Sequence, residues 1–121
     1  MSYQGHCNCE SIRVALPQQP ANTGICYCDS CRRAGGGVSE DELTVEDSGK
    51  TLTIFDDKKS ATGNIVKRHF CSSCGSPVFT KTPKAPGMVF LKAALFDTVS
   101  PPKGEVFSEK RTNWLSVEHQ K

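Results

Sequence analysis

The stretch Cys71-Ser72-Ser73-Cys74-Gly75 is the part of this chain that decides its fold. Two cysteines separated by two residues form a knuckle, a tight turn that directs two thiolates at one metal ion. Gly75 suits such a turn, because a residue with positive φ is often needed there and glycine adopts it without steric cost. The stretch therefore predicts a metal-binding turn in the middle of the chain.

The other five cysteines lie in two further clusters, Cys7-Asn8-Cys9 and Cys26-Tyr27-Cys28-Asp29-Ser30-Cys31. Disulfide frameworks scatter cysteines so that bridges span loops, whereas a zinc ion needs several thiolates within about 2.3 Å. The odd count of seven also argues against a complete disulfide framework. The clustering therefore indicates metal binding.

Zinc chemistry divides the seven cysteines into four and three. A structural zinc site is closed by four ligands, whereas a catalytic site has three protein ligands and an open position. The two cysteines of the first cluster can share one face of an extended segment, because side chains alternate along it. With the knuckle they can close a site that ties the N-terminus to the middle of the chain. The predicted structural zinc ligands are Cys7, Cys9, Cys71 and Cys74.

The triple cluster fits a second zinc ion with an open position, held by Cys26, Cys28 and Cys31. Water, hydroxide or an incoming thiol can take that position, and a metal-bound thiol is deprotonated at neutral pH. The sequence therefore predicts two zinc ions, one structural and one catalytic. The alternative is a second closed site, completed by His6, His69 or Asp29. His69 has other interpretations: a hydrogen-bond donor to a cluster sulfur, a solvated histidine, or a histidine packed in a strand.

Length and composition predict a single domain over residues 1–121. Only 36% of the residues are apolar, so the core is limited and a structural metal would offset its small size. The formal charge of +2 and the mixed signs give no indication of nucleic-acid binding. No stretch approaches the length of about 20 apolar residues that a membrane span needs. We expect a cytoplasmic protein, with the nucleus as the alternative, where reducing conditions favour metal over disulfides.

The pattern along the chain predicts an all-β fold with irregular loops. A helical turn is expected at residues 29–34, a flexible stretch at 35–42, and a hairpin loop at 56–64 with Gly63-Asn64 as turn residues. The predicted strands are residues 12–16, 23–27, 51–55, 65–70, 78–80, 88–95, 106–107 and 114–117.

Three motifs together resemble the glutathione-dependent formaldehyde-activating enzyme family, which shares its domain with the centromere protein V group. They are Gly5-x-Cys7-x-Cys9, Cys26-x-Cys28-x-x-Cys31-Arg32-Arg33, and His69-Phe70-Cys71-x-x-Cys74-Gly75-Ser76-Pro77. Two later segments are also similar to the family, Lys92-Ala93-x-Leu95-Phe96-Asp97 and Arg111-x-x-Trp114. The resemblance spans nearly the whole chain.

This resemblance implies an all-β, zinc-bearing fold of the Mss-four-like type. It also implies carbon–sulfur lyase chemistry that joins or separates glutathione and formaldehyde as S-hydroxymethylglutathione, with glutathione or its adduct as the small-molecule partner. By the same resemblance, the structural zinc ligands correspond to Cys7, Cys9, Cys71 and Cys74, and the catalytic zinc ligands to Cys26, Cys28 and Cys31.

The chain departs from the family pattern after Arg33, where about one strand's worth of residues is absent. The shortened segment, Gly35-Gly36-Gly37, would lie beside the catalytic cluster. An alternative function is therefore a non-catalytic zinc-binding scaffold or interaction module of the centromere protein V type. A third is a thiol redox sensor, which would release zinc from the triple cluster on mild oxidation.

Overall fold

The computed structural model describes residues 2–21, 23–26, 33–59, 63–83, 85–106 and 114, with backbone only at 25–26, 33–36 and 102–106. The regular structure in these residues is strands and two single 3₁₀ turns, Glu40–Glu42 and Ala93–Leu95. This confirms the predicted all-β class. The strands are β1 (Tyr3–His6), β2 (Arg13–Leu16), β3 (Thr23–Cys26), β4 (Arg33–Ser39), β5 (Thr44–Glu46), β6 (Leu52–Asp57), β7 (Val66–Cys71), β8 (Pro77–Lys81), β9 (Met88–Lys92) and β10 (Pro102–Val106).

The described strands form two sheets. A three-stranded antiparallel sheet has the order β1-β2-β5, and a seven-stranded sheet has the order β10-β3-β4-β9-β8-β7-β6. All neighbours in the larger sheet are antiparallel except β10 and β3. None of the helices in the described part of the chain is long and apolar enough to cross a membrane.

The core lies where the small sheet packs on the larger one, and two of the predicted zinc ligands are part of it. In β2 the predicted alternation holds, because Val14 and Leu16 are buried while Arg13 is exposed. Two of the largest fully buried side chains are cysteines, Cys7 and Cys71. The buried cluster consists of Cys7, Ile12, Val14, Leu16, Val38, Cys71, Val78, Phe79, Val89, Leu91, Leu95 and Phe96.

Gly5 is required by a close approach between β1 and the segment after β9. A Cβ at this position would lie 2.5 Å from the carbonyl oxygen of Leu95 and 2.8 Å from Cδ1 of Phe96. The neighbouring Tyr3 ring stacks on Phe96 at 4.1 Å, and its hydroxyl donates to the carbonyl of Thr98. The glycine of the first motif is therefore a packing requirement that holds the N-terminal strand in place.

The glycine-rich segment is a strand in the interior of the sheet, so the predicted flexible stretch is wrong at Gly35–Gly37. Strand β4 pairs with β3 on one side and β9 on the other. The predicted helical turn is wrong at Arg33 and Ala34, which also lie in β4, and residues 29–32 of that prediction lie outside the described residues. Glycine has a low strand propensity, but here Gly35 pairs with both β3 and β9, and Gly36 and Gly37 pair with β9. The glycine-rich segment is therefore a paired strand within a continuous sheet.

Several strand boundaries also differ from the sequence prediction. The strand predicted at 88–95 ends at Lys92, and Ala93–Leu95 forms a 3₁₀ turn instead. Strands β1 and β5 were not predicted, and β10 begins earlier than expected. The predicted hairpin is confirmed, because β6 and β7 pair from Leu52↔Cys71 to Asp57↔Val66. Of the predicted strand at 114–117, only Trp114 is described, and it lies in a turn.

Candidate metal centre and adjoining cavities

Four cysteines from distant parts of the sequence meet in one cluster. The Sγ atoms of Cys7, Cys9, Cys71 and Cys74 all lie within 4.8 Å of one another. The Cys7–Cys9 and Cys9–Cys71 sulfur separations are both 3.7 Å. A tetrahedral zinc ion with Zn–S bonds of about 2.3 Å separates its sulfurs by about 3.8 Å. The donor set and its spacing therefore fit a tetrahedral metal ion, and these four residues can hold one.

Two tight turns place the cysteine pairs. In the turn between β1 and β2, the Cys7 carbonyl accepts a hydrogen bond from the Glu10 amide at 3.0 Å, and Glu10 adopts a positive φ of 64°. In the turn between β7 and β8, the Cys71 carbonyl accepts from the Gly75 amide at 2.7 Å, and Gly75 has a φ of 78°. The second turn is the predicted knuckle, with glycine at the position that needs positive φ.

Hydroxyl groups surround the sulfurs on the side of β2 and β6. Ser11 Oγ lies 3.1 Å from the sulfur of Cys9, 3.3 Å from that of Cys71 and 3.8 Å from that of Cys7. Thr51 Oγ1 lies 3.5 Å from the Cys71 sulfur and 3.0 Å from Ser11 Oγ. One serine hydroxyl therefore contacts three of the four sulfurs, and a threonine holds that hydroxyl in place.

The hydroxyl of Ser76 contacts the remaining sulfur, that of Cys74. Ser76 Oγ lies 3.1 Å from the Cys74 sulfur and accepts a hydrogen bond from the Asn8 amide at 3.1 Å. Neither serine is predicted from the sequence to contact the cluster. The available signal was their position, since each lies two residues after a cysteine of the cluster. Donors of this kind orient metal ligands and stabilise their charged form.

The surroundings favour thiolates at two of the four positions. Burial opposes ionisation of Cys71, but hydrogen bonds with Ser11, Thr51 and backbone amides together lower its pKa to about 5. The hydrogen bond with Ser76 lowers the pKa of Cys74 to about 7. Burial raises the pKa of Cys7. Thiolates are the form that binds metal, so the lowered pKa values of Cys71 and Cys74 favour metal binding at neutral pH.

His69 is packed in the sheet and is not part of the four-sulfur cluster. It is 7% exposed, and its ring stacks on Phe79 at 4.2 Å. Burial lowers the pKa of this imidazole. Nδ1 has no hydrogen-bond partner among the described residues. Of the interpretations offered by the sequence, the structure supports the strand-packed histidine.

The triple cluster is described only at its first residue. Cys26 is the last residue of β3, where its backbone pairs with Arg33 of β4 and Val106 of β10. Cys28 and Cys31 lie outside the described residues. The second zinc site, with its open position, therefore stays a prediction.

Two cavities adjoin the metal centre and meet at three residues, Gly75, Pro77 and Lys92. The larger has a volume of about 340 Å³ and is lined by His6, Asn8, Cys74, Gly75, Ser76, Pro77, Lys92, Ala94 and Leu95. The smaller has a volume of about 270 Å³ and is lined by Phe55, Arg68, His69, Phe70, Gly75, Pro77, Phe79, Thr80 and Lys92. The two turns that carry the metal ligands thus also form part of the wall of the larger cavity.

A family model and a curated relative point to the same family, and a solved structure shares the fold. A family model described as glutathione-dependent formaldehyde-activating enzyme matches residues 2–112. A curated relative from Halomonas elongata, whose name provisionally assigns it to the glutathione-dependent formaldehyde-activating enzymes, is 28% identical over 129 aligned positions, which cover 98% of this chain and 82% of the relative. The crystal structure of a Rhodobacter sphaeroides protein is similar to this fold with a TM-score of 0.68 at 20% identity, covering 85% of this chain and 99% of that one.

Proposed function

Because the chain belongs to the glutathione-dependent formaldehyde-activating enzyme family, we propose that it joins and separates glutathione and formaldehyde. The family match over residues 2–112 is the observation that carries this proposal. The name of the Halomonas elongata relative supports the same substrates. The four-sulfur cluster supports the proposed structural metal site.

The proposed reaction is an addition without any change of oxidation state. In the forward direction the glutathione sulfur attacks the carbonyl carbon, one carbon–sulfur bond forms, and the thiol proton ends on the former carbonyl oxygen. The product is S-hydroxymethylglutathione. In the reverse direction the carbon–sulfur bond breaks, which makes the enzyme a carbon–sulfur lyase. No oxidant, reductant or further reactant is needed.

Two zinc ions are proposed, with different tasks. The ion held by Cys7, Cys9, Cys71 and Cys74 joins the β1–β2 turn to the β7–β8 turn and stabilises the fold. A zinc ion bound to the triple cluster would supply stabilisation of a substrate thiolate at neutral pH. Its proposed ligands are Cys26, Cys28 and Cys31.

The described residues contribute by shaping and holding the substrate site. Asn8, Cys74 and Gly75 belong to the metal-bearing turns and also line the larger cavity. Because Asn8 donates its amide hydrogen to Ser76 Oγ, the two turns are bonded to each other directly, and an ion held by the four cysteines would join them further. A filled structural site therefore fixes the cavity wall against which a substrate would be positioned.

Two-dimensional exchange NMR tests the proposed activity directly. Zinc-loaded protein should accelerate the interconversion of glutathione and S-hydroxymethylglutathione above the spontaneous rate in buffer. Cys28→Ser should retain the structural zinc and lose the acceleration, because it removes a ligand only from the triple cluster. A fully zinc-loaded protein without any acceleration would contradict the lyase proposal and favour the non-catalytic zinc module.

A further inference from the structure

We propose that the outer edge of β6 is a dimerisation surface, on which a second copy of this chain pairs its own β6 in antiparallel orientation. The twofold axis would pass beside Phe55, so that the two seven-stranded sheets join into one continuous sheet. This association is independent of the proposed lyase activity, because it involves neither the cysteine clusters nor the substrates.

Strand β6 is the last strand of the larger sheet. Within the described residues it pairs with β7 on one side, and no strand pairs with its other side. It contains neither a proline nor a bulge, two features that commonly prevent pairing at a sheet edge. An open edge of this kind is a template for a further strand.

Two hydrogen bonds at the end of β7 establish the direction of the backbone groups in the β6–β7 hairpin. The Cys71 amide donates to the carbonyl of Ser76 at 2.9 Å, so Cys71 faces β8. The next amide, that of Ser72, donates to the carbonyl of Thr51 at 2.8 Å, so position 51 faces β7. Hydrogen-bonded and non-hydrogen-bonded pairs alternate along an antiparallel ladder. Because the β6–β7 register is unbroken, positions 53, 55 and 57 also face β7.

The even-numbered residues of β6 direct their amides and carbonyls away from β7. They are Leu52, Ile54 and Asp56. The Leu52 amide already has a partner, since it donates to a carboxylate oxygen of Asp47 at 2.9 Å. The amides of Ile54 and Asp56 have no partner among the described residues. Ile54 and Asp56 therefore offer two donors and two acceptors to a further strand.

A second copy of β6 matches these groups when the pairing is centred on Phe55. Antiparallel pairing then places Ile54 of each copy opposite Asp56 of the other, and each pair exchanges two backbone hydrogen bonds. The four bonds use both outward amides and avoid the Leu52 amide, which Asp47 occupies. A register centred on Ile54 would instead require the Leu52 amide as a donor.

The exposed side chains of β6 suit the same register. Phe55 and Ile54 are 58% and 53% exposed, and as neighbours in a strand they lie on opposite faces of the sheet. Phe55 of one copy would lie directly opposite Phe55 of the other in a non-hydrogen-bonded pair, where side chains are closest and aromatic pairs are favourable. On the other face, the Ile54 side chains of the two copies would be diagonal neighbours. Apolar surface exposed in the monomer would thereby be covered.

Charge complementarity favours a second copy over an unrelated strand. The Asp47 carboxylate lies at the start of β6, where it accepts the hydrogen bond from Leu52, and two exposed lysines, Lys58 and Lys59, follow the end of the strand. When the register centred on Phe55 is continued, position 58 of one copy lies opposite position 52 of the other. The lysines of each copy would therefore lie beside the Asp47 carboxylate of the other, at both ends of the interface.

Sedimentation velocity of zinc-loaded protein tests this interface. Four backbone hydrogen bonds and a small apolar area predict a weak dimer, so the wild type should show a reversible monomer–dimer equilibrium below about 100 μM. Phe55→Lys should weaken association about tenfold or more, because like charges would lie directly opposite each other. Lys58→Glu should also weaken it, because the new carboxylate would lie beside Asp47 of the other copy.

The matched control for Phe55→Lys is Phe90→Lys. Phe90 is 39% exposed and lies on the same face of the sheet as Phe55, three strands from the edge. Its replacement by lysine adds the same charge to the same face and should leave the association unchanged.

Ile54→Pro and amide exchange distinguish strand pairing from other modes of association. The proline removes an outward amide, so it should abolish the dimer and retain the pairing of β6 with β7. In the wild type, the amides of Ile54 and Asp56 should exchange more slowly in concentrated than in dilute protein. The amides of Thr53 and Phe55, which face β7, should change little.

A wild type that stays monomeric at about 300 μM would overturn the proposal and leave the edge to a strand from another protein. A dimer that persists in folded Phe55→Lys and Ile54→Pro would also overturn it, because a different surface would then hold the copies together. Amide exchange at Ile54 and Asp56 that does not depend on concentration would have the same consequence. If Ile54→Pro fails to fold, Phe55→Lys and the amide exchange of the wild type decide the question.

Discussion

Ser11 shows how a single hydroxyl can prepare a metal centre. Its Oγ contacts the sulfurs of three cluster cysteines, and Thr51 fixes it by a further hydrogen bond at 3.0 Å. Thr51 is itself held by Asp47, which accepts hydrogen bonds from its amide and its hydroxyl. The thiolate environment is therefore built from residues outside the cysteine motifs.

The lowered thiol pKa values predict how the stability of the metal-free protein depends on pH. The pKa of Cys71 is lowered from 9.0 to about 5 and that of Cys74 to about 7, so each favours the folded state once ionised. This stabilisation is complete above about pH 9 and is lost as the pH falls through 7 and 5. The raised pKa of Cys7 acts in the opposite direction. Because the two downward shifts dominate, the free energy of unfolding should rise with pH.

Urea unfolding of chelator-treated, reduced protein across this pH range measures the effect. Ser11→Ala should reduce the increase of the unfolding free energy with pH, because it removes a hydrogen bond that lowers the pKa of Cys71. Thr53→Ala is the matched control, since its hydroxyl bonds to the Thr51 carbonyl and no contact with the cluster is among those described. A stability that falls with increasing pH would show that the hydroxyls do not stabilise the thiolates.

At the scale of single elements, β1 is held by a contact that tolerates only glycine. Gly5→Ala would place a Cβ 2.5 Å from the Leu95 carbonyl oxygen, which is a backbone atom and cannot move aside cheaply. We expect a loss of about 1–3 kcal/mol in the free energy of unfolding. Gly49→Ala is the control, because its Cβ would meet Thr51 Cγ2 at an ordinary 3.7 Å. Equal stability of the two variants in urea unfolding would contradict the packing described for β1.

The described part of the β6–β7 hairpin contains two ion pairs whose contributions to stability should differ. Asp57 bonds to Arg68 at 2.8 Å with side chains only 12% and 18% exposed, and the hydrogen bond from Arg68 holds the pKa of this carboxyl below its usual value. The neighbouring pair, Asp56 and Lys67, is about half exposed, with 52% and 53%.

Asp57→Asn should therefore lower the free energy of unfolding by about 1–3 kcal/mol, because it weakens a charged hydrogen bond in a largely buried setting. Asp56→Asn should change it by less than about 1 kcal/mol, since water screens the exposed pair. Thermal or urea unfolding of both variants gives the comparison. A larger loss for Asp56→Asn would reverse the assignment of which pair stabilises the hairpin.

The sequence predicts strands and turns correctly where the local pattern of side chains is enough to determine them. Alternation identified β2, and the turn residues identified the β6–β7 hairpin. It failed at Gly35–Gly37, because this strand is defined by hydrogen bonds to β3 and β9 and not by its own residues. No local signal distinguishes such a strand from a flexible linker.

At the scale of the whole molecule, the candidate metal centre joins two distant parts of the chain. Cysteine spacing was sufficient to predict that Cys7, Cys9, Cys71 and Cys74 meet, because few arrangements of seven cysteines satisfy zinc chemistry. The spacing of the cysteines does not predict that Ser11 and Ser76 contact the cluster or that Lys92 lines the cavities. The positions of these residues relative to the cluster and the cavities depend on strand register, which the sequence does not display.

The proposed function requires that one small chain hold two zinc ions with separate tasks. Native mass spectrometry of wild-type protein, Cys28→Ser and Cys71→Ser counts these ions. We expect about two zinc ions in the folded wild type and about one in folded Cys28→Ser. Cys71→Ser should be poorly folded, because the structural site is lost. A single zinc ion in the wild type, or an unchanged zinc content in Cys28→Ser, would show that the proposed division of the seven cysteines into two sites is wrong.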